Sequence, residues 1–480
     1  MKMMNKRQQS RRKFLRTASI ASMAGLTVSP ILLELNSVAA MAQQSGTSDY
    51  KALVCIFLSG GNDGHGTVIA TDPESFASFT QARSGAPGLA YPQSSLLPVT
   101  LKTPQSGRTF ALNPNLAGVQ NLFNSGRAAI ISNTGTLIAP VTKAQIQANS
   151  VPLPASLYSH FDQSAAWQAI TATSGSAVHE GWGGAIADIL GSQNANSNSA
   201  FTCISTAGTA LFLSGESTYQ LNVTSAGPIP IFGLSSPIFG APAGTSALSS
   251  ILTADETNLF AKEYEAVVQR SIAAQATLAT CMLPAGPTGV ANPPQYLDPT
   301  TQKLTDNPLA TSLQTVARII GGRSGLGVTR QIFYVQLGGF DMHDNQAPQH
   351  ATLLTQLGSA LEYFDSVMQT AGLSNNVTAF TASDFGRTLT ANSDGTDHGW
   401  GSHHFVTGGA VSGQDMYGKY PVIGSNQAND MGAGRLIPTV SIEEYAGTLA
   451  KWFGLSDGQV RQVFPNFGNF GSNPYMGFMG

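Results

Sequence analysis

The sequence predicts an α/β protein with a mostly parallel central sheet flanked by helices and interrupted by loop-rich insertions. Three observations predict it. Apolar runs of five to nine residues lead into turns, helical periodicities separate those runs, and Gly and Pro are spread along the whole chain. With 480 residues, 51 of them Gly and 25 Pro, the length allows one large domain or several small ones at roughly 100–200 residues each. No hinge-like linker and no repeat divides it. A single domain over 43–480 is therefore expected, with insertions near 192–250 and 284–307.

Composition removes several classes. Charged residues are 11% against 42% hydrophobic, enough apolar matter for a core and too little charge for disorder. No heptad or Gly-X-Y period is present, which excludes coiled coil and collagen. Lys and Arg total 24 against 27 acids, with no basic stripe in the body, so nucleic acid has no electrostatic footing.

The first forty-two residues read as an address. Lys2, Lys6, Arg7, Arg11, Arg12, Lys13 and Arg16 precede a small-residue apolar run from Ala18 to Leu33, then Ala40-Met41-Ala42. Basic head, short apolar stretch and small-x-small site make a secretory signal. Ser10-Arg11-Arg12-Lys13-Phe14-Leu15 resembles the twin-arginine signal, which implies the twin-arginine export machinery as a partner and a periplasmic or secreted protein folded before export. Pro30 and Glu34 interrupt the run, which is shorter than the roughly 20 apolar residues a span requires. No membrane span is expected in the mature form, whose 17 basic and 26 acidic residues favour solubility. Cys55, Cys203 and Cys281 allow one disulfide in three pairings, with Cys55 reading as a buried packing residue.

Residues 51–59 form a continuous apolar run before Gly60-Gly61-Asn62-Asp63-Gly64, the pattern of a strand buried on both faces. Residues 128–132, 331–337 and 377–381 repeat it. Between them, residues 350–370 place Leu354, Leu357, Leu361, Phe364 and Met368 on one helical stripe with Gly372 as a stop. A further helix is expected over about 254–280. Another starts at Ser441, where Ser441 and Glu444 make a capping box, and stops at Gly454. The last fourteen residues, rich in Gly and Asn, either wrap the surface or fray.

Chemistry gathers late. Of eight histidines, His343, His350, His398, His403 and His404 fall within 343–404, together with Asp341, Asp344, Asp384, Asp394 and Asp397. Several follow predicted strands, and the carboxyl ends of strands are where open α/β sheets hold ligands. Aspartate with histidine suits Zn, Mn or a similar divalent metal, one or two per chain.

Three segments resemble the alkaline phosphatase/sulfatase/phosphomutase superfamily: Asn62-Asp63-Gly64-His65-Gly66, Gly338-Gly339-Phe340-Asp341-Met342-His343, and Phe380 to Arg387 through Asp384-Phe385-Gly386. Together with Ser159-His160-Phe161-Asp162, Gly181-Trp182 and Asp397 to Phe405, they look like a twin-arginine-exported branch of it, grouped as a domain of unknown function. The resemblance covers about 50–465. It implies an alkaline phosphatase-like fold, Asp63 and Asp384 at one metal, and Asp341 and His343 at a second, closed by His403 or His404. Phe385 stands where the superfamily has His, and Asp397-His398 offers a replacement. Arg387 is expected to grip phosphate or sulfate, and Ser159 to act as nucleophile or simply to cap the next helix.

Other readings compete residue by residue. Asp63 could only shape its turn. Adjacent His403 and His404 point to opposite faces of a strand, so at most one should ligate. His350 reads as a cap or surface residue, and His65, His160 and His179 as packing or hydrogen-bonding residues. Trp182 and Trp400 are sugar platforms or loop anchors. The functional expectation is a metal-dependent hydrolase of phosphate or sulfate esters acting on a small anionic substrate. The alternative is a catalytically silent periplasmic binding or assembly protein that keeps the fold.

Overall fold

Seven consecutive apolar residues, Ala52 to Leu58, in the middle of a sheet need partners on both faces, and the computed structural model shows how they get them. It describes residues 49–480 apart from 106, 170–179, 425 and most of 231–257. The segment expected to be an export signal and His179 lie outside the described residues.

Strand β1 (Lys51–Ser59) is the centre of the sheet. The other principal strands are β2 (Ala128–Gly135), β3 (Cys203–Ser205), β4 (Leu221–Thr224), β5 (Arg330–Gly338) and β6 (Val377–Ser383). Next come a small hairpin, β7 (Arg387–Ala391) with β8 (Thr396–His398), then β9 (Ser402–Thr407) and β10 (Met416–Tyr417). The sheet runs β10-β2-β9-β6-β1-β5-β3-β4. β1 pairs in parallel with β5 and β6, β5 with β3, and β3 with β4, while β9 runs antiparallel between β6 and β2.

Alternation along β1 explains its composition. Ala52, Val54, Ile56 and Leu58 enter one core, and Leu53, Cys55 and Phe57 enter the other. The first core lies under α2 (Ala117–Asn124), α6 (Pro308–Gly321) and α7 (Gln346–Thr370). The second lies under α4 (Trp182–Ser192), α8 (Ile442–Phe453) and α9 (Asp457–Val463). Three more helices are α1 (Pro73–Arg83), α3 (His160–Gln168) and α5 (Leu259–Cys281). Among the described residues no helix is long and apolar enough to cross a membrane.

The capping box at Ser441 forms with Glu444, and α8 stops before Gly454 as the sequence predicts. Two expectations change. The stretch 192–250 is not merely a surface excursion, because it supplies β3 and β4 to the sheet and buries Phe201, Ile204 and Leu213. The C-terminal residues fold back, with Phe478 fully buried and Met479 bridged to Val411. Cys55 and Cys203 lie two strands apart, roughly 10 Å at strand spacing, too far to bridge. All three cysteines are free.

Candidate metal centre

Parallel pairing puts the carboxyl ends of β1, β5 and β6 at one edge, with Ser59 opposite Gly338 and Leu58 opposite Ser383. The loops that follow carry Asp341, His343 and Asp384. Gly60 makes their approach possible: at φ +115°, a Cβ there would lie 2.3 Å from the Asp341 nitrogen. The β7–β8 hairpin delivers Arg387 and His398 from the side. Helix α3 brings His160, its first residue, down from above.

Four ligand-type groups converge. His160 Nε2 is 3.1 Å from His398 Nε2 and 3.2 Å from Asp341 Oδ2. His343 Nε2 is 2.9 Å from His398 Nε2 and 3.1 Å from Asp341 Oδ1, and His398 Nε2 is 3.3 Å from that same oxygen. Tetrahedral ligands at about 2.0–2.1 Å from a zinc ion stand about 3.3 Å apart, so a common cation suits His160, Asp341 and His398, whose ligand atoms all lie within 4.8 Å of one another, with His343 beside His398 and Asp341.

The partners on the far side of each ring decide its tautomer. His398 Nδ1 lies 2.7 Å from the Tyr158 carbonyl, which can only accept, so Nδ1 carries the hydrogen and Nε2 presents a lone pair. His160 Nδ1 donates to Asp384 Oδ2 at 2.6 Å, with the same consequence. Asp397 Oδ1 sits 3.4 Å behind His343 Nδ1. Lone pairs facing one another and a carboxylate repel unless a cation lies between them, and outer partners of this kind are how proteins orient metal-binding imidazoles.

Local electrostatics agree. Burial and the hydrogen bond that His398 donates to the Tyr158 carbonyl oppose each other, and burial dominates, lowering the His398 pKa and favouring the neutral ring. Burial would raise Asp341, but the bond from Arg387 Nη2 (2.7 Å), the Arg387 charge, and His160 and His398 together outweigh it and hold the carboxylate below its usual range. Asp384 is 4% exposed, and its Oδ1 has no hydrogen-bond partner; burial pushes its pKa up against the pull of His160. An unpartnered buried carboxylate oxygen on the residue that holds His160 fits a cationic occupant nearby. Phe385 packs its ring 4.7 Å from both His160 and His398 and forms the wall behind them.

Other expected site residues are engaged elsewhere. Asp63 sits at the same sheet end, but its carboxylate receives Arg83 Nη1 at 2.8 Å and Nη2 at 3.0 Å, Gln346 Nε2 at 2.8 Å and the Gly66 amide at 3.1 Å. Burial opposes its ionisation, yet Arg83 holds it well below the usual carboxylate range. Instead of a ligand, Asp63 is half of a buried ion pair.

His403 accepts the Asn133 amide at Nδ1 and stacks on Tyr420, while His404 packs against Trp167 and Tyr445. Both are buried in β9, and neither belongs to the four-group cluster. His350 is wholly buried with Nε2 on Asn62 Oδ1, not a surface cap. Arg387 donates to Gly61, Phe340 and Thr396 carbonyls as well as to Asp341, so it pins three loops and is not free for an anion. Ser159 caps α3 with its hydroxyl on Asp162. The indoles of Trp182 and Trp400 donate to the Trp167 and Thr136 carbonyls and anchor loops. His160 is the residue that local reasoning undervalued. Its only sequence signal is its place in Ser159-His160-Phe161-Asp162.

A mostly parallel α/β sheet with three imidazoles and a carboxylate converging at its carboxyl edge defines an α/β protein with a candidate metal centre. Residues 50–464 match the family described as "Protein of unknown function (DUF1501)", and the chain belongs to that family. No curated protein matches the chain. Among solved structures it is similar to Ps i-CgsB in complex with k-i-k-neocarrahexaose, at 8% identity over 89% of this chain and 78% of that one, TM-score 0.35. It is also similar to the lipoteichoic acid synthase LtaP from Listeria monocytogenes (7% identity, 91% and 82% covered, TM-score 0.36). A third is the PsFucS1 sulfatase from Pseudoalteromonas sp. (8% identity, 89% and 72% covered, TM-score 0.34). Likenesses this loose carry no functional argument.

Proposed function

We propose that the chain is an exported, metal-dependent hydrolase of phosphate or sulfate esters on an alkaline phosphatase-like fold, with one cation site made by His160, Asp341, His343 and His398. The observation that carries this reading is the convergence of the bare His160 and His398 Nε2 atoms on His343 and Asp341. Three nitrogens and one oxygen suit Zn. When bound, such a cation supplies Lewis acidity and lowers the pKa of water. The chain's own residues hold the geometry. Asp384, Tyr158 and Asp397 orient the imidazoles, Arg387 fixes Asp341, and Phe385 keeps water from the rings' far side.

The test is bound metal per chain after dialysis, for wild type, His398→Ala and Asp341→Asn, followed by a panel of phosphate and sulfate esters. About one equivalent in wild type and a large loss in both variants is the expected result. Equal occupancy in all three would sink the site. Export is tested by changing Arg11 and Arg12 together to Lys. Precursor should then stay in the cytoplasm, and normal export of the variant would defeat the twin-arginine reading.

One observation favours the second reading, a catalytically silent binding protein that keeps the cation: Ser159 and Arg387 are both committed to structural bonds. Metal bound with no turnover of any ester would select it.

A further inference from the structure

We propose that Arg435 is an anion-binding residue of this site, its guanidinium gripping a non-bridging oxygen of a phosphate or sulfate group placed beside His398. The proposal rests on the function proposed above and names the residue that recognises the substrate's charge.

The first observation is an unpaired cation. Arg83, Arg108, Arg127, Arg270, Arg330 and Arg387 each lie within hydrogen-bond reach of a carboxylate. Arg435 is half-buried, and among the described residues no carboxylate lies within ion-pair distance of it. The nearest acid on its own loop is already occupied. Asp430 Oδ1 accepts the Gly432 and Gly434 amides, and Oδ2 accepts the Asn426 amide. A partly desolvated guanidinium without a counter-charge is costly, and an anionic ligand offsets that cost.

The second observation is placement. Arg435 Nε donates to the His398 carbonyl at 2.9 Å, and Nη1 to the Gly432 carbonyl at 3.3 Å. The guanidinium carbon lies 5.3 Å from the ring centre of Tyr158, the residue whose carbonyl fixes His398. The side chain is thus held at three points, one of them the backbone carbonyl of a candidate metal ligand. Nη2 makes no hydrogen bond among the described residues. In a planar guanidinium, Nη2 shares an edge with Nε, so one of its N–H bonds runs parallel to the Nε–H that meets His398. With Nε committed to the His398 carbonyl, the Nη2 N–H groups are the donors left to meet an oxyanion oxygen beside His398. Arg387 cannot serve, because its donors already hold Asp341 and three carbonyls.

The experiment uses the full chain loaded with zinc, titrated calorimetrically with inorganic phosphate and separately with inorganic sulfate, in wild type, Arg435→Met and Arg435→Lys. Wild type should bind at least one of the two anions. Arg435→Met should weaken that affinity at least tenfold with zinc per chain unchanged, and Arg435→Lys should fall between, since Lys keeps the charge but not the planar fork. Wild-type affinity in both variants, loss of zinc from Arg435→Met, or no anion binding by zinc-loaded wild type would each overturn the proposal. If near-ultraviolet circular dichroism shows Arg435→Met unfolded, Arg435→Lys decides by the same criterion. Repeating the titrations after chelation separates the two readings. Anion affinity that depends on Arg435 but not on zinc upholds this inference and removes the metal centre, whereas retained zinc with no Arg435 effect does the reverse.

Discussion

His160 Nδ1 meets Asp384 Oδ2 at 2.6 Å, across 224 positions of sequence, and this contact turns a helix-start histidine into part of a sheet-end cluster. Asp384 sits just past the end of β6 with the Gly60 amide also on Oδ2, so the loop after β1 anchors it as well. The carboxylate fixes the ring's hydrogen on Nδ1 and leaves Nε2 bare. Replacing Asp384 by Asn removes the charge that favours this arrangement. Metal affinity should fall about 10–100-fold, as for other outer partners of ligating histidines. Competition with a chromogenic chelator measures it; wild-type affinity in Asp384→Asn would mean that His160 is oriented by something else.

The buried Asp63–Arg83 pair makes a different prediction. Arg83 is fully buried and Asp63 is 1% exposed. Removing one partner strands a charge without water. Arg83→Met should cost about 3–5 kcal/mol of stability, read by denaturant unfolding, while the number of bound metal ions stays the same. A drop in metal content without loss of stability would return Asp63 to the ligand set.

Acid should destabilise the protein through histidines away from the candidate ligands. Burial holds His65 and His350 down to about 4 and His404 down to about 3. In the unfolded chain each titrates near about 6.5. Below that pH the unfolded state takes up protons that the folded state refuses, so stability falls on acidification and is unaffected by these groups above about pH 7. Each contributes a slope of up to about 1.4 kcal/mol per pH unit between its two pKa values. Unfolding midpoints measured from pH 8 to pH 4 should decline below about 6.5, and a flat profile from 7 to 5 would contradict the assignment.

Phe385 stands where the resembled superfamily carries a histidine, and the structure makes it a wall. Its ring touches both His160 and His398, and the chain at Gly61 packs directly against it, where an added Cβ would come within 2.5 Å. Phe385→Ala should let both imidazoles relax and lower metal affinity about tenfold, an outer-shell magnitude. Dialysis followed by metal analysis at graded zinc concentrations checks it, and unchanged retention would show that the aromatic wall is dispensable.

Four principal strands are legible along the chain, because burial on both faces writes a continuous apolar run, and so are the long helices, because one buried stripe repeats every 3.6 residues. The sequence also showed that Asp341, His343 and Asp384 follow strands, hence that they sit at a sheet edge, whereas His398 arrives on the β7–β8 hairpin. Three-residue strands such as Cys203–Ser205 were beyond it, since so short a run shows no period. Tertiary structure alone decided which side chains meet. Asp63 looks the same in sequence whether it faces a cation or a guanidinium, and Arg83, twenty positions on and buried by α1, decides the matter. His160 carries only a helix-start signature locally, and becomes a candidate ligand because α3 docks over the ends of β5 and β6. Periodicity is set by near neighbours and can be read along the chain. Ion pairing and ligand convergence are set by distant segments packed together, and no local pattern records them.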